Sequence, residues 1–206
     1  MPSKSKSDMQ SKKVIIMDLD GTLSKVNTFT LFVKVFFRMS AVSRLNLTGI
    51  VLARKLRFIS HAGAKQRIVS LFRRKGDGAI IEKTVEKIVA NIRHDLLRIA
   101  LASDLSVLAT AAPSLYARTL AERLGFGDVV ATPPEGPECR GEGKVAMLRR
   151  IGVDFSDNVT VYTDHHDDLP LLEVNSGGIN ILVNPSDETI SKISELRNLS
   201  VMTIND

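Results

Sequence analysis

The sequence predicts an α/β protein with a parallel sheet between two layers of helices, a three-layer, Rossmann-like core. From residue 101 onward, short apolar strands alternate with helical segments, which implies right-handed crossovers between parallel strands. Near the N-terminus, four apolar residues at 14–17 predict a buried strand that runs into charged residues. Between these regions, residues 24–100 contain no proline and predict a helical bundle inserted after the first strand.

The insert, residues 24–100, is predicted as a set of helices separated by turns. Apolar side chains recur at three- and four-residue spacing in residues 29–37, 45–56 and 81–92. Because glycine is unfavourable inside helices, turns are predicted near Gly49, Gly63 and residues 75–78. We assign residues 13–23 and 101–206 to the core, and residues 1–12 to a polar, basic tail that we expect to be disordered.

The core residues predict four more strands and four helices in alternation. The strands are predicted at residues 105–110, 129–132, 159–163 and 179–183. The helices are predicted at residues 113–124, 144–151, 169–174 and 187–196. The carboxyl ends of parallel strands meet at one edge of the sheet, where ligands bind. Polar residues that follow these strands are therefore the candidate site.

Two carboxylates, Asp18 and Asp20, follow the first strand directly. Side chains alternate along an extended segment, so both carboxylates leave the backbone on the same side, and Gly21 permits a sharp turn after them. One carboxylate can attack phosphorus as a nucleophile, and a second can protonate the leaving oxygen and then activate water. The alternative is a solvent-exposed Asp-x-Asp-Gly turn without chemistry.

Thr110 and Lys144 stand at two further places where a strand gives way to a helix. A hydroxyl together with backbone N–H groups at a helix N-terminus forms an anion site, although an ordinary helix N-cap threonine fits Thr110 equally. Lys144 opens a helix, where its charge opposes the helix dipole, and a nearby anion would explain that placement. The alternative for Lys144 is a solvated surface lysine.

Residues 162–172 crowd three carboxylates and two histidines after the fourth predicted strand. Such crowding of negative charge is unfavourable unless a cation offsets it, and oxygen ligands favour Mg²⁺. Asp164 and Asp168 are the candidate acids. The neighbouring pair His165 and His166 would suit Zn²⁺ instead, or would serve as loop residues and hydrogen-bond partners. An acidic solvated loop is the alternative.

These segments together resemble the four motifs of the haloacid dehalogenase-like hydrolase superfamily, most of whose members are phosphatases. Asp-Leu-Asp-Gly-Thr-Leu at residues 18–23 resembles the first motif, and Thr110 matches the second. Residues 139–144, ending in Lys144, resemble the third motif of the phosphoserine-phosphatase-like branch. Asp164 and Asp168 match the acids of the fourth, with Thr163 in place of a common glycine. The insert weakly resembles that of phosphatidylglycerophosphatase-like members.

The resemblance implies a helical cap over a Rossmann-like core and Mg²⁺-dependent hydrolysis of a phosphomonoester through an aspartyl-phosphate. In that mechanism Asp18 is the nucleophile and Asp20 the general acid and base. Lys144, Thr110 and the backbone N–H of Ala111 would bind the phosphoryl oxygens. Mg²⁺ would be held by the carboxylates of Asp18 and Asp164 and by the backbone carbonyl of Asp20. Asp168 would orient these groups by hydrogen bonds. A dehalogenase is disfavoured because Asp20 and the fourth motif suit phosphorus chemistry.

The charge of the chain is distributed unevenly. The net charge is +5, yet residues 21–76 carry twelve basic and no acidic residues, whereas residues 101–206 carry 8 basic and 16 acidic ones. The basic insert is either the solvated face of a bundle or a surface for anionic membrane, which would suit a lipid phosphate headgroup. A catalytically silent module that binds membrane or nucleic acid is the alternative function. We expect no specific nucleic acid, since the chain has no Trp and two Tyr for base stacking.

The single cysteine, Cys139, cannot form an internal disulfide, and we interpret it as an incidental thiol. The chain contains no apolar run of 18 residues. We therefore expect a cytoplasmic protein, with peripheral contact to the inner face of a membrane if the basic insert binds lipid.

Overall fold

The computed structural model describes residues 12–39, 48–50, 54, 61–73, 78–155, 158–193, 195–196 and 198–204. Its six strands are β1 (Val14–Met17), β2 (Leu105–Pro113), β3 (Asp128–Thr132), β4 (Val159–Thr163), β5 (Ile179–Val183) and β6 (Leu199–Met202). They form one parallel sheet in the order β3-β2-β1-β4-β5-β6, which confirms the predicted parallel sheet. The chain builds outward from β1 in one direction and then from β4 in the other. The crevice between β1 and β4 is therefore the switch point at which such sheets bind ligands.

The helices in the described part of the chain flank this sheet and fill the insert. They are α1 (Thr28–Met39), α2 (His61–Arg73), α3 (Gly78–Val89), α4 (His94–Leu101), α5 (Ser114–Leu124), α6 (Glu142–Arg150), α7 (Leu169–Val174) and α8 (Asp187–Ile193). A single 3₁₀ turn, His166–Asp168, leads into α7. None of the described helices is long and apolar enough to cross a bilayer.

The alternation of side chains in β1 divides the core between the two faces of the sheet. Ile15 and Met17 face one hydrophobic cluster, and Ile16 faces the other. The first cluster contains four aromatic side chains from the insert and α5, namely Phe32, Phe36, Phe72 and Tyr116. The ring centroids of Phe32 and Tyr116 lie 5.5 Å apart, so the insert shares its core with the sheet domain.

The structure differs from the predicted elements in three places. Gly49 and Gly63 are themselves helical rather than turn residues, and most of the neighbouring residues in which turns near them would fall lie outside the described part of the chain. The strand β2 continues to Pro113 across an irregularity after Thr110. The strand β6 was not predicted, because it is four residues long and half exposed at the sheet edge.

Four predictions stay untested. The predicted tail lies outside the described residues, as do most of the stripe at 45–56 and most of the turn at 75–78. The boundary of the insert at residues 24–100 also stays a prediction. Within that range, α4 packs against β1 and β2 rather than with the other insert helices.

Candidate active site

The predicted site residues come together in one pocket at the carboxyl edge of the sheet. The pocket opens to solvent and has a volume of about 400 Å³. Its lining includes every residue predicted from the sequence to act in the site: Asp18, Asp20, Thr110, Ala111, Lys144, Asp164 and Asp168. The turn that places the first two acids depends on Gly21, whose φ of +83° favours glycine.

Lys144 lies at the centre of the acidic part of this pocket. Its Nζ donates to Asp18 Oδ1 at 2.9 Å and to Asp168 Oδ2 at 2.7 Å. The hydroxyl of Thr163 donates to the same Asp168 oxygen at 2.8 Å. Lys144 is buried in the first turn of α6, so it is not a solvated surface lysine. The positive charge of Lys144 is unfavourable at the N-terminus of a helix, and the carboxylates of Asp18 and Asp168 stabilise it there.

Burial and charge shift the protonation equilibria of these groups strongly. Burial raises the pKa of Asp18 to about 8; Asp168 and Asp164 add to the shift, and Lys144 opposes it. Burial acts to lower the pKa of Lys144, but the charges and hydrogen bonds of Asp168 and Asp18 outweigh it and raise that pKa above its usual value. The site therefore carries more negative charge than Lys144 alone can stabilise.

Asp20 is held at the start of the insert. The backbone N–H of Thr28, the first residue of α1, donates to Asp20 Oδ1 at 2.7 Å. The Thr28 hydroxyl lies 3.1 Å from the hydroxyl of Tyr116. Burial raises the pKa of Asp20, against the hydrogen bonds of Thr28 and the charge of Lys65. A carboxyl group with a raised pKa can hold a proton and donate it, as a general acid must.

Asp164 approaches the Asp18–Gly21 turn so closely that only glycine fits there. A Cβ built on Gly21 would lie 2.0 Å from Asp164 Oδ2. The Thr22 hydroxyl donates to Asp164 Oδ1 at 3.2 Å, and burial raises the pKa of Asp164. The carboxylates of Asp18 and Asp164 therefore lie at the same backbone turn, and the ligand atoms that they offer to a metal ion are oxygens. That donor set and the excess of negative charge fit Mg²⁺.

Residues Thr110 to Ala112 lie within β2 at the irregularity in its pairing with β3, and we call this segment the phosphate loop after the role that the resemblance implies. Thr110 Oγ1 accepts a hydrogen bond from the Ala112 N–H at 3.0 Å. Pro113, not Thr110, is the N-cap residue of α5, so the alternative of an N-cap threonine is wrong. The Ala111 carbonyl accepts from Thr132 Oγ1 at 2.7 Å and from Lys65 Nζ at 2.5 Å.

Several residues that support the site were not predicted from the sequence. Arg93 donates to the carbonyls of Gly21 and Thr22, at 2.5 and 2.6 Å, and so braces the turn after the two acids. Cys139 is buried behind the phosphate loop and takes a hydrogen bond from the Thr110 backbone; burial raises its pKa to about 12. It is thus an integral part of this packing rather than an incidental thiol. No periodicity or motif connects residues so far apart in the chain.

His165 lines the pocket and His166 lies beside it, with the two ring centroids 4.1 Å apart and the ring planes tilted by 30°. The ligand atoms of His165, His166 and Asp167 lie within 4.8 Å of one another, a spacing that a metal could bridge. Cationic side chains already engage two of the three, since Arg140 bonds to Asp167 and Lys192 Nζ lies 3.0 Å from His166 Nε2. The geometry therefore favours a chain of polar contacts over a zinc site.

Comparison with known proteins agrees with this geometry. The family model of haloacid dehalogenase-like hydrolases matches residues 15–173. A solved protein of unknown function from Bordetella pertussis Tohama I is 21% identical, with a TM-score of 0.72 over 94% of this chain and 99% of that one. A probable phosphoserine phosphatase from Vibrio cholerae is 12% identical, with a TM-score of 0.64 over 91% of this chain and 59% of that one.

A third solved structure is described as a phospho-aspartyl intermediate analogue of phosphoserine phosphatase. It is 13% identical, with a TM-score of 0.58 over 96% of this chain and 95% of that one. Among curated proteins, none matches this chain. At these identities the solved structures share the fold, and the family match covers all four of the segments singled out in the sequence.

Proposed function

Because the chain belongs to the haloacid dehalogenase-like hydrolase family, we propose that it is a Mg²⁺-dependent phosphatase that hydrolyses a phosphomonoester through an aspartyl-phosphate. One observation carries this proposal. A buried lysine holds one oxygen of Asp18 while Asp20, with its raised pKa, lines the same pocket. A carboxyl group fixed by a lysine, beside a second carboxyl group whose pKa is raised, is the pair that phosphoryl transfer to a carboxylate requires.

In the first step Asp18 attacks phosphorus in line with the leaving alcohol. Lys144 engages Oδ1, so we assign the attack to Oδ2. The bond from phosphorus to the ester oxygen breaks, and Asp20 gives its proton to that oxygen. The product is an aspartyl-phosphate on Asp18, and Asp20 is left ionised beside the N-terminus of α1, whose dipole favours the negative charge.

In the second step Asp20 takes a proton from water, which attacks the phosphorus of the aspartyl-phosphate. The bond to Asp18 breaks and the carboxylate returns. Lys144 and the phosphate loop bind the phosphoryl oxygens throughout, so most of the rate enhancement comes from positioning and charge stabilisation. The carboxylates of Asp18 and Asp164 and the Asp20 carbonyl would hold Mg²⁺, which supplies further positive charge against the phosphoryl oxygens.

We propose a small phosphomonoester, such as a phosphoamino acid, as the substrate. The first residues of the insert, Lys25 to Asn27, line the pocket and restrict the space for a leaving group. The solved phosphoserine phosphatases with this fold support a substrate of that size. A lipid phosphate is the second candidate. It is supported by a groove between α1 and α3 that is lined by Leu31, Lys34, Val35, Arg38, Lys83 and Lys87. Contact with anionic membrane stays a prediction, which sedimentation with anionic and neutral vesicles would test.

Substitution of the nucleophile tests the proposed function. Asp18→Asn should abolish Mg²⁺-dependent release of phosphate from p-nitrophenyl phosphate, because a neutral amide neither attacks phosphorus nor forms the aspartyl-phosphate. Asp154→Asn is the matched control, since Asp154 is exposed before β4, at the opposite edge of the sheet. Wild-type turnover by a folded Asp18→Asn protein would contradict the mechanism, and so would equal activity with and without Mg²⁺.

A further inference from the structure

Lys65 of α2 is a buried cation in the insert that the mechanism above does not use. It has a relative exposure of 9%, although lysine is rarely buried without partners. Its Nζ donates to the Ala111 carbonyl and to Glu138 Oε1, both at 2.5 Å. Glu138 lies in the segment between β3 and α6, so this one ammonium joins the insert to two separate segments of the core.

The hydrogen bond from Lys65 to the Ala111 carbonyl acts on the backbone of the phosphate loop. The peptide between Ala111 and Ala112 is fixed at both ends. Its carbonyl accepts from Lys65 and Thr132, and its N–H donates to the Thr110 hydroxyl. Since the Thr110 hydroxyl accepts from that N–H, its own proton is left to donate elsewhere. Rotation of this peptide would move the Thr110 hydroxyl and the Ala111 N–H together.

A second set of bonds holds the same loop from the core side alone. The backbone N–H of Cys139 donates to Thr132 Oγ1 at 3.1 Å, and the Thr132 hydroxyl donates in turn to the Ala111 carbonyl at 2.7 Å. The carbonyl thus has one donor from the core, Thr132, and one from the insert, Lys65. The insert donor is the charged one, and charge-assisted hydrogen bonds are the stronger kind.

We propose that Lys65 is a positioning residue that fixes the phosphate loop from the insert, with Glu138 holding its ammonium in place. The loop then has its binding geometry only when α2 is seated on the core. Lys65 acts through the Ala111 carbonyl and does not contact the substrate. This proposal deepens the proposed function and rests on it, since it assigns the loop to binding a phosphoryl group.

Binding of inorganic phosphate, measured by calorimetry in the presence of Mg²⁺, tests this proposal without requiring turnover. Lys65→Met keeps the length of the side chain and removes the donor, so we expect phosphate affinity to fall roughly tenfold or more. We expect a smaller loss for Glu138→Gln, because Lys65 keeps its bond to Ala111. Arg67→Met is the matched control, since Arg67 is an exposed cation on the same helix α2, and it should leave phosphate binding unchanged.

Thr132→Val removes the core donor to the same carbonyl and covers the case in which Lys65→Met does not fold. It should also weaken phosphate binding, and the double variant should lose more than the product of the two single losses. Unchanged phosphate affinity in folded Lys65→Met and Thr132→Val would overturn the proposal. Lys65→Met that raises KM for one leaving group, with phosphate affinity intact, would overturn it too, since Lys65 would then contact the leaving group.

The same measurements separate this inference from the proposed function. Failure of the wild-type protein to bind phosphate or release it from any ester would remove the proposed function itself. If the wild-type protein is an active phosphatase and Lys65→Met and Thr132→Val are both fully active, only the proposed role of Lys65 is removed.

Discussion

Two buried lysines lie at the candidate site, Lys144 in the lining of the pocket and Lys65 in the insert against the Ala111 carbonyl, and the charges around them differ. On the core side, Lys144 faces the carboxylates of Asp18 and Asp168, with Asp164 close enough to raise the pKa of Asp18. On the insert side, Lys65 faces one carboxylate, Glu138, and a neutral carbonyl. The ammonium of Lys65 is balanced by the one carboxylate of Glu138, whereas Lys144 faces two carboxyl groups with a third nearby. The excess of carboxyl groups on the core side fits a site for a further cation, and the contacts of Lys65 fit a role in positioning the phosphate loop.

Removal of Lys144 should give the largest effect of any substitution in this comparison. In Lys144→Met, Asp18 and Asp168 lose the cation they share, and phosphoryl oxygens lose a charged donor. We expect turnover to fall by more than about 100-fold, as for loss of a charge-stabilising donor. We also expect the free energy of unfolding to fall by roughly 3 kcal/mol at pH 8, because two buried carboxylates are left without their partner. Phosphate release and urea denaturation measure the two losses.

The control for Lys144→Met is Lys192→Met, which breaks an exposed ion pair with Glu188 on α8. Such surface pairs contribute little, so stability should change by less than about 1 kcal/mol. If Lys144→Met were as stable and as active as Lys192→Met, the core side of the pocket would not depend on its charges, and the contrast with Lys65 would disappear.

The core side of the pocket was predictable from the sequence, and most of the insert side was not. Asp18 and Asp164 each follow a strand directly, Thr110 lies near the end of one, and Lys144 lies in the first turn of the helix after another. Parallel topology alone brings the ends of strands together. The alternation of apolar and helical segments was strong enough to predict five of the six strands. The short edge strand β6 was missed because its side chains are half exposed and show no clear pattern.

Lys65 carried no comparable signal, because it is one of twelve basic residues in a stretch without acids. Its partner Glu138 is 73 residues away and lies in a segment without regular structure. Burial of a charge depends on which segments pack together, and neither composition nor periodicity reports that. The same reason hid Arg93, whose acceptors, Gly21 and Thr22, lie 72 and 71 residues earlier.

The excess of negative charge on the core side predicts that Mg²⁺ stabilises the protein more at high pH. Burial raises the pKa of Asp18 from 3.8 to about 8, so ionisation of Asp18 opposes folding between those values, and stability without Mg²⁺ should fall as pH rises toward 8. Mg²⁺ needs the ionised carboxylate, so its affinity should rise by up to about tenfold per pH unit and level off above pH 8. Thermal unfolding with and without Mg²⁺ at pH 6, 7, 8 and 9 measures this dependence.

Asp18→Asn serves as the control for this pH dependence, since an amide does not titrate. The increase in melting temperature caused by Mg²⁺ should become smaller and almost independent of pH in this variant. An equal increase at pH 6 and pH 8 in the wild-type protein would show that Asp18 is already ionised without the ion. The core side would then be balanced, as the insert side is.

The smallest effect is expected for substitution of Thr163. This residue stands in the fourth motif at a position where glycine is common in the family. Its hydroxyl donates to Asp168 Oδ2, the oxygen that also accepts from Lys144. Thr163→Val keeps the shape of the side chain and removes this donor, so Asp168 should hold Lys144 less firmly. We expect a loss of roughly tenfold in activity, typical of a residue that orients a ligand or its partner, and about 1 kcal/mol of stability.

Thr160→Val is the matched control for Thr163→Val, because Thr160 lies earlier in β4 and on the opposite face of the sheet from Thr163. The two variants remove the same group from the same strand, so a difference in activity between them reports the contact with Asp168. If both lose activity equally, the hydroxyl of Thr163 acts only through the packing of β4. If Thr163→Val alone loses activity, activity depends on the orientation of Asp168, because Lys144 must bond to Asp168 and Asp18 at the same time. Lys65 bonds to a single carboxylate, Glu138, so its geometry does not depend on a second carboxylate in this way.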